Sequence, residues 1–530
     1  PSGNGSSASQ RLQFGDNNDG MSLFPLSENR AVLAINNEYS SYQQLFQHGG
    51  KPQNQEEVEK AQAAQGVSIV EIKKQGSSWS VVIDSPYNRR ITANTPMQLS
   101  GPVAGHELVK TRADPEGRSV YGTFSNCANS QTPWGTYLTC EENFNGYFGS
   151  DDSFSPDPNQ QRYGIGSNSR AHWHQFDSRF DLAKNPNEAN RFGWVVEIDP
   201  LNPDSIPKKR TALGRFKHEN AALTLNEDGH VVIYMGDDEG GEHLYKFVSE
   251  RRFDPNNSHI NRELLAEGSL YVARFDAKDG ELKGNGQWLE LSHGKNGLTA
   301  KNGFADQAEV LTFIRRAATQ VGATSMDRPE WVAVHPSGTQ VYCTLTNNMA
   351  RGVKYNQPLN GVNPRANNNY GQIVRWMPRN GDHRSKHFNW DLYLLAGNPE
   401  VHKDTLYAGS DNIKRDNMFN SPDGIGFDAE GRLWIQTDGN YSNKGDFAGM
   451  GNNQMLCSDP TTGEVRRFLT GPVACEITGL CFSSDYRTMF IGIQHPGERS
   501  QPSHFPAGEN SKPRSSVMAI SRDNGGIIGR

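Results

Sequence analysis

The chain has 530 residues, 54 of them glycine and 28 proline, and its 53 basic and 60 acidic side chains give a formal net charge of −7. This composition excludes collagenous and disordered chains, and the lack of a basic stripe argues against nucleic acid as a partner. No apolar run exceeds a few residues, the longest lying near 231–235, so no membrane insertion by a helix is expected.

The start, Pro1 followed by Ser, Gly and Asn, fits either a removed targeting leader or an artificial beginning. Residues 1–11 read as a flexible N-terminal segment and 12–530 as a single domain. A first unit opens at Asp19 in NNDG and reaches Glu38 in INNEY 19 residues later. A helical run at 54–65 follows. The second unit runs from Cys127 in SNCANSQTPWG to Glu142 in CEEN, 15 residues on. Glu219 precedes a strand–turn–strand pattern at 221–239, with Asp237 at a spacing of 18. Helical patterns at 261–267 and 304–321 separate it from Glu330 and the hairpin 331–348, where Asn347 lies 17 residues on. Asp423 and Asp438, 15 apart, accompany 424–440, and Glu476 and His495, 19 apart, accompany 478–498.

A second strand type, at 194–205, 271–282, 373–383 and 455–465, follows the hairpins. Four strands per unit, repeated six times, define an all-β fold, a six-bladed β-propeller with a few short helices. Large loop insertions are expected near 143–192, 249–320 and 349–370. The last strand, within 515–526, is expected to pair with the N-terminal strand and close the circle.

The two ends of a hairpin lie at the same end of a blade. Six hairpins round one axis therefore gather Asp19, Cys127, Glu219, Glu330, Asp423 and Glu476 on one face with Glu38, Glu142, Asp237, Asp438 and His495. A single acid at a turn is ordinarily a solvated cap; recurrence in six units argues otherwise. Like charges so close cannot all ionise without compensation, and hard cations with oxygen ligands supply it. Cys127, unlike the strand cysteines Cys140, Cys343 and Cys481, joins this face, and a thiolate among carboxylates points to a softer ion such as iron beside calcium. Arg328, two residues before Glu330, could fork onto phosphate oxygens; Lys217 lies equally close to Glu219. Six cysteines without a CxxC pair exclude a zinc ribbon. There is no nucleophile elbow, Walker loop or HExxH.

The stretches FGDNND (14–19), INNEY (35–39), SNCANSQTPWGTYLTCEEN (125–143), KHENAAL (217–223), MGDDEGGEHLYKF (235–247), RPEWVAVHP (328–336), NPRANNNYGQIVRW (363–376), SPDGIGFD (421–428) and EITGLCFSSD (476–485) resemble the PhoX-type alkaline phosphatases, over about residues 12–520. The resemblance implies a six-bladed propeller that hydrolyses phosphate monoesters at alkaline pH. It implies a cofactor of two Fe3+ and three Ca2+ ions around a bridging oxo group. It also implies folded export by the twin-arginine route, hence a periplasmic or secreted protein. Carried over, Cys127 is the iron ligand, and Glu142, Glu219, Asp237, Asp238, Glu330, Asp423 and Glu476 hold the cluster. Glu38 joins them, although Asn37 stands where the family often has His. Asn126 and Arg328 are expected on the substrate phosphate. Small phosphate monoesters of varied alcohols are the expected substrates, attacked in line by a metal-bridging oxygen, and a monomer is expected. The alternatives are a calcium-dependent lactonase-like propeller hydrolase, which would need no thiolate, and a binding propeller with structural calcium only.

Overall fold

The computed structural model describes residues 3–403, 405–509 and 511–530. Strand composition tracks distance from an axis. The second strand of each blade lies between neighbouring blades on both faces, so it reads as a run of buried residues instead of alternating. His230–Gly236 (HVVIYMG), Leu433–Thr437 and Thr488–Gln494 are buried throughout. Outer strands alternate, as Val465–Thr470 does with every second residue exposed.

The first blade comprises Asn18–Ser27, Arg30–Asn37, Gly66–Gln75 and Ser78–Val81, joined by Arg89–Ile91. The second is built from Asn126–Gln131, Tyr137–Glu141, Val195–Ile198 and Lys208–Arg210, and is widened by Pro96–Ser100 and Ser119–Tyr121. Ala222–Leu225, His230–Gly236, Leu244–Arg252 and Gly268–Ala277 form the third; Pro329–Val334, Val341–Leu345, Gln372–Pro378 and His387–Leu395 the fourth. An added strand, Lys283–Glu290, pairs with the outer strands of both and welds them into one nine-stranded sheet. Pro422–Phe427, Leu433–Thr437, Gln454–Ser458 and Val465–Thr470 make the fifth, and Glu476–Phe482, Thr488–Gln494 and Ser516–Ser521 the sixth. The six innermost strands touch their neighbours in sequence round the ring, the last touching the first.

Closure differs from expectation. Ser516–Ser521 pairs with Thr488–Gln494 as the third strand of the sixth blade, not with the N-terminal strand. The N-terminal strand is itself innermost, so its outer edge is already taken by Arg30–Asn37. The ring shuts through side chains instead. Thr478 Oγ1 donates to Asp19 Oδ1 at 2.6 Å, and Ser515 Oγ to Asn17 Oδ1 at 2.8 Å.

Other expectations shift in detail. Residues 143–192 and 349–370 lie between consecutive strands of the second and fourth blades, and 249–320 includes the end of Leu244–Arg252, Gly268–Ala277 and the added strand Lys283–Glu290. The helix at 54–65 is Gln55–Ala63, capped by Asn54, whose Oδ1 accepts from Glu57 N at 3.0 Å. The run at 304–321 splits at Phe313 into Gln307–Thr312 and Ile314–Gln320, and 261–267 is mostly turn after Ser258–Asn261. Within the opening segment, Ser7–Gln10 is a helical turn docked on Gln55–Ala63, with Ser7 Oγ donating to Glu56 at 2.8 Å. No helix among the described residues is long and apolar enough to cross a membrane.

Candidate metal centre

The innermost strand of each of the first five blades holds one extra residue near its start. Pairing jumps from Asn18↔Asn37 to Met21↔Ile35, from Asn126↔Glu141 to Asn129↔Thr139, from Pro329↔Leu345 to Val332↔Cys343, and from Pro422↔Thr437 to Ile425↔Ile435. In the third blade it jumps from the bridge His218↔Asp237 to Ala222↔Tyr234. Asp19, Cys127, Glu219, Glu330 and Asp423 each fall just inside such a bulge, which re-aims a side chain. In the sixth blade the bulge comes later, between Thr478 and Leu480.

A backbone turn sets up the bulge. Two residues before the re-aimed side chain, Asn17, Ser125, Arg328 and Ser421 have φ of 41°, 54°, 53° and 51°, left-handed values that are costly without glycine. Their carbonyls accept from the residue that ends the hairpin: Glu38 N to Asn17 at 2.9 Å, Glu142 N to Ser125 at 2.9 Å, Thr346 N to Arg328 at 3.1 Å, and Asp438 N to Ser421 at 3.2 Å. In the third blade the corresponding bond runs from Asp238 N to Lys217 O at 3.1 Å.

That bond identifies Asp238, not Asp237, as the counterpart of Glu38, Glu142 and Asp438. Along a strand, one residue's difference reverses the face. Asp237 points away from the ring and is forked by Arg315, Nε to Oδ2 at 2.8 Å and Nη2 to Oδ1 at 2.5 Å. By the same count Thr346, not Asn347, holds the fourth-blade position.

Three groups of ligand atoms, each mutually within 4.8 Å, are linked through shared residues: Asp19, Glu38 and Cys127; Cys127, Glu142 and Glu219; Glu219, Asp238 and Glu330. Cys127 Sγ lies 2.9 Å from Glu219 Oε1 and 3.3 Å from Asp19 Oδ2. Asp438, Glu476 and His495 form a fourth group. Asp423 is buried near the rest, and the charges of Glu219, Asp438 and Asp19 act on it. The proposed ligands Glu38, Cys127, Glu142, Glu219, Asp238 and Glu330 thus meet, and Asp19 joins them at their junction.

Burial dominates the electrostatics. It pushes Glu219 up to about 8, with help from the charges of Asp238 and Asp19. Glu38, Glu142, Glu330, Asp423 and Glu476 are raised well above the carboxylate range by burial first and then by neighbouring acids. Burial and the same acids raise the Cys127 thiol. Asp238 is the exception: burial, the largest influence, would raise it, but the charge and hydrogen bonds of Arg328, a hydrogen bond with Glu330 and the charge of Lys217 together hold it low. Among the described residues, Arg328 is the one Lys or Arg in direct ion pairing with these acids, meeting Asp238 through Nε and Nη2 at 2.8 Å and Glu330 at 2.8 Å. One guanidinium cannot neutralise so many carboxylates, and the donor set of oxygens plus one sulfur suits metal cations.

The two residues expected on phosphate are differently placed. Arg328 has most of its fork committed to Asp238 and Glu330, leaving Nη1, which is 3.5 Å from Asn347 Oδ1. Asn126 gives its amide protons to Thr123 Oγ1 at 2.7 Å and Thr139 Oγ1 at 2.9 Å, and only its buried Oδ1 lacks a partner. An amide oxygen cannot donate to phosphate; it can accept a cation. Lys217 is paired with Glu239 at 3.0 Å. A cavity of about 720 Å³ opens beside the ring, bounded by Glu38, Asp438, Glu476, His495, Tyr147 and Arg170.

Six blades that deliver acids and one thiol to the axis beside an open cavity define a propeller hydrolase with an acidic axial centre. The model of the alkaline phosphatase PhoX family matches residues 1–497, and the chain belongs to that family. It is an alkaline phosphatase, a hydrolase of phosphate monoesters. Pseudomonas fluorescens PhoX, solved in complex with vanadate, a transition-state analogue, is 61% identical, covers 100% of this chain and 92% of its own, and superposes with a TM-score of 0.98. A putative 6-phosphogluconolactonase from Bacteroides uniformis is 8% identical over 94% of this chain and 87% of its own, with a TM-score of 0.32 that says nothing of activity. No curated protein sequence matches the chain.

Proposed function

We propose that this phosphatase works with a mixed iron and calcium centre, two Fe3+ and three Ca2+ ions about an oxo group, held by Asp19, Glu38, Cys127, Glu142, Glu219, Asp238, Glu330, Asp423 and Glu476. The observation that carries this is the chain of three linked groups in which Cys127 and Glu219 are shared. Shared ligands suit ions set close together, and a sulfur at the junction suits iron there. Asp237 is assigned instead to holding Arg315, and Asn126 to a cation through Oδ1 instead of to phosphate.

Metals so held would neutralise the phosphoryl oxygens and activate the attacking oxygen. The protein's part is position and charge, which is most of what phosphoryl transfer requires. Arg328 orients Asp238 and Glu330, while its Nη1 donates to Asn347 Oδ1 at 3.5 Å. The cavity admits a small ester, and breadth for the alcohol follows if contacts concentrate on the phosphate. Vanadate, bound by the Pseudomonas fluorescens relative, is then expected to inhibit this enzyme. Export to the periplasm or medium and a phosphate-scavenging role belong to this reading through the family resemblance.

The test is removal of metals from the purified enzyme and their return. Phosphate release from p-nitrophenyl phosphate is expected to stop on chelation and to require iron together with calcium for recovery. Full recovery with calcium alone would favour a calcium-only centre.

A further inference from the structure

With Arg328 committed to Asp238 and Glu330, a phosphate arriving at the ring needs a second cation. The insertion of the second blade carries one. Around Phe124, the rings of Tyr147, Trp173 and Phe192 pack with centroids at 4.5, 5.5 and 4.4 Å, giving residues 143–192 a fixed base. The backbone on either side of Arg170 is tied down. Ser169 Oγ donates to the carbonyls of Gly146 and Tyr147, both at 3.1 Å, Ala171 N donates to Gly146 O at 3.1 Å, and Tyr42 of the first blade donates its hydroxyl to Ala171 O at 2.8 Å. Arg170 itself is exposed to the cavity that Glu38, Asp438, Glu476 and His495 also line. Among the described residues, no carboxylate comes within 4.0 Å of its guanidinium; its neighbour is the Tyr147 hydroxyl. It nevertheless feels the ring: burial works against its charge, and Tyr147, Glu38 and Glu142 more than restore it.

We propose that Arg170 binds the non-bridging oxygens of the substrate phosphate, so that the anion is gripped by a cation from the insertion as well as by the centre at the axis. The assignment rests on the ring of acids being the phosphate site. A planar guanidinium with no carboxylate partner, held on a pinned loop and facing that ring, matches the geometry of a phosphate dianion.

Steady-state kinetics of Arg170→Gln and Arg170→Lys with p-nitrophenyl phosphate test it, alongside inhibition by inorganic phosphate and by vanadate. Arg170→Gln is expected to lose about 10- to 100-fold in kcat/KM, with the inhibition constants for phosphate and vanadate rising in parallel. Arg170→Lys should recover part of each loss. Iron and calcium contents and the melting temperature should match the parent enzyme. Unchanged inhibition by inorganic phosphate, even with a raised KM for the ester, would overturn the proposal by placing Arg170 on the alcohol. Loss of metal in both variants would overturn it too, by making the residue structural. A parent enzyme whose activity ignores iron and calcium would instead contradict the metal centre, a separate result.

Discussion

Cys127 is the side chain on which metal identity turns. Its sulfur is buried among carboxylates that raise the thiol, so it favours the neutral form unless a cation replaces the proton. Asp237 and Asp238, adjacent in sequence, separate two roles. Asp238→Asn is expected to lower bound metal and cut kcat/KM by at least about 100-fold, since a charged ligand is lost. Asp237→Asn should instead leave the buried Arg315 with only Glu239 and Glu242 as carboxylate partners and destabilise the fold by about 1.5–3 kcal/mol, seen as a lowered melting temperature. Equal metal loss and unchanged melting in both variants would contradict this division. The sequence spacing of 18 pointed to Asp237, because counting cannot see which residue of a pair follows the bulge. Asn126 neighbours Cys127 in sequence, and the structure ties its amide to Thr123 and Thr139, contacts that no spacing reveals. Arg170 was invisible because it belongs to no repeat.

At the scale of elements, the bulges are held by the preceding blade. Asn36 Nδ2 donates to the carbonyls of Cys127 and Ala128 at 2.6 and 2.8 Å, Thr344 Oγ1 to that of Asp423 at 2.7 Å, and Gln436 Nε2 to that of Gly479 at 3.0 Å. Gln494 of the sixth blade does the same for the first, its Nε2 donating to Asn18 O at 3.3 Å. Each donor sits on a second strand, whose buried face would otherwise be apolar. Thr344→Val keeps the volume but leaves the Asp423 carbonyl unsatisfied, and is expected to cost about 1–3 kcal/mol. It should also reduce activity by freeing the bulge that aims Asp423; thermal unfolding and kcat/KM together check it, and full activity would show that Asp423 needs no such brace. The hairpins and their acids were legible because two strands and a turn recur at similar spacings, 15 to 19 residues. The bulges, the left-handed residues and the inter-blade donors were not, since each depends on a neighbour far away in sequence.

For the whole molecule, the propeller concentrates charge that the protein alone does not neutralise. Glu219 is held near 8 in the metal-free fold against an ordinary 4.5, by burial first and then by Asp238 and Asp19. Between those values the folded form binds more protons than the unfolded one, so stability falls as pH rises through the window. Thermal melts of chelated protein should therefore decline from about pH 5 to pH 8, and the metal-loaded enzyme should not follow, because cations displace those protons. A flat profile without metal would mean that the acids are compensated in some other way. The ring of blades was legible from repeat count and spacing, whereas its closure was not: the last strand completes its own blade, and Thr478 and Asp19 meet across 459 residues of sequence. The most direct test of the account is the iron and calcium content of the purified enzyme beside that of Cys127→Ser. The account predicts both metals in the parent, and loss of iron with at least about 100-fold lower kcat/KM in the variant. Undiminished iron and full activity in Cys127→Ser would contradict it.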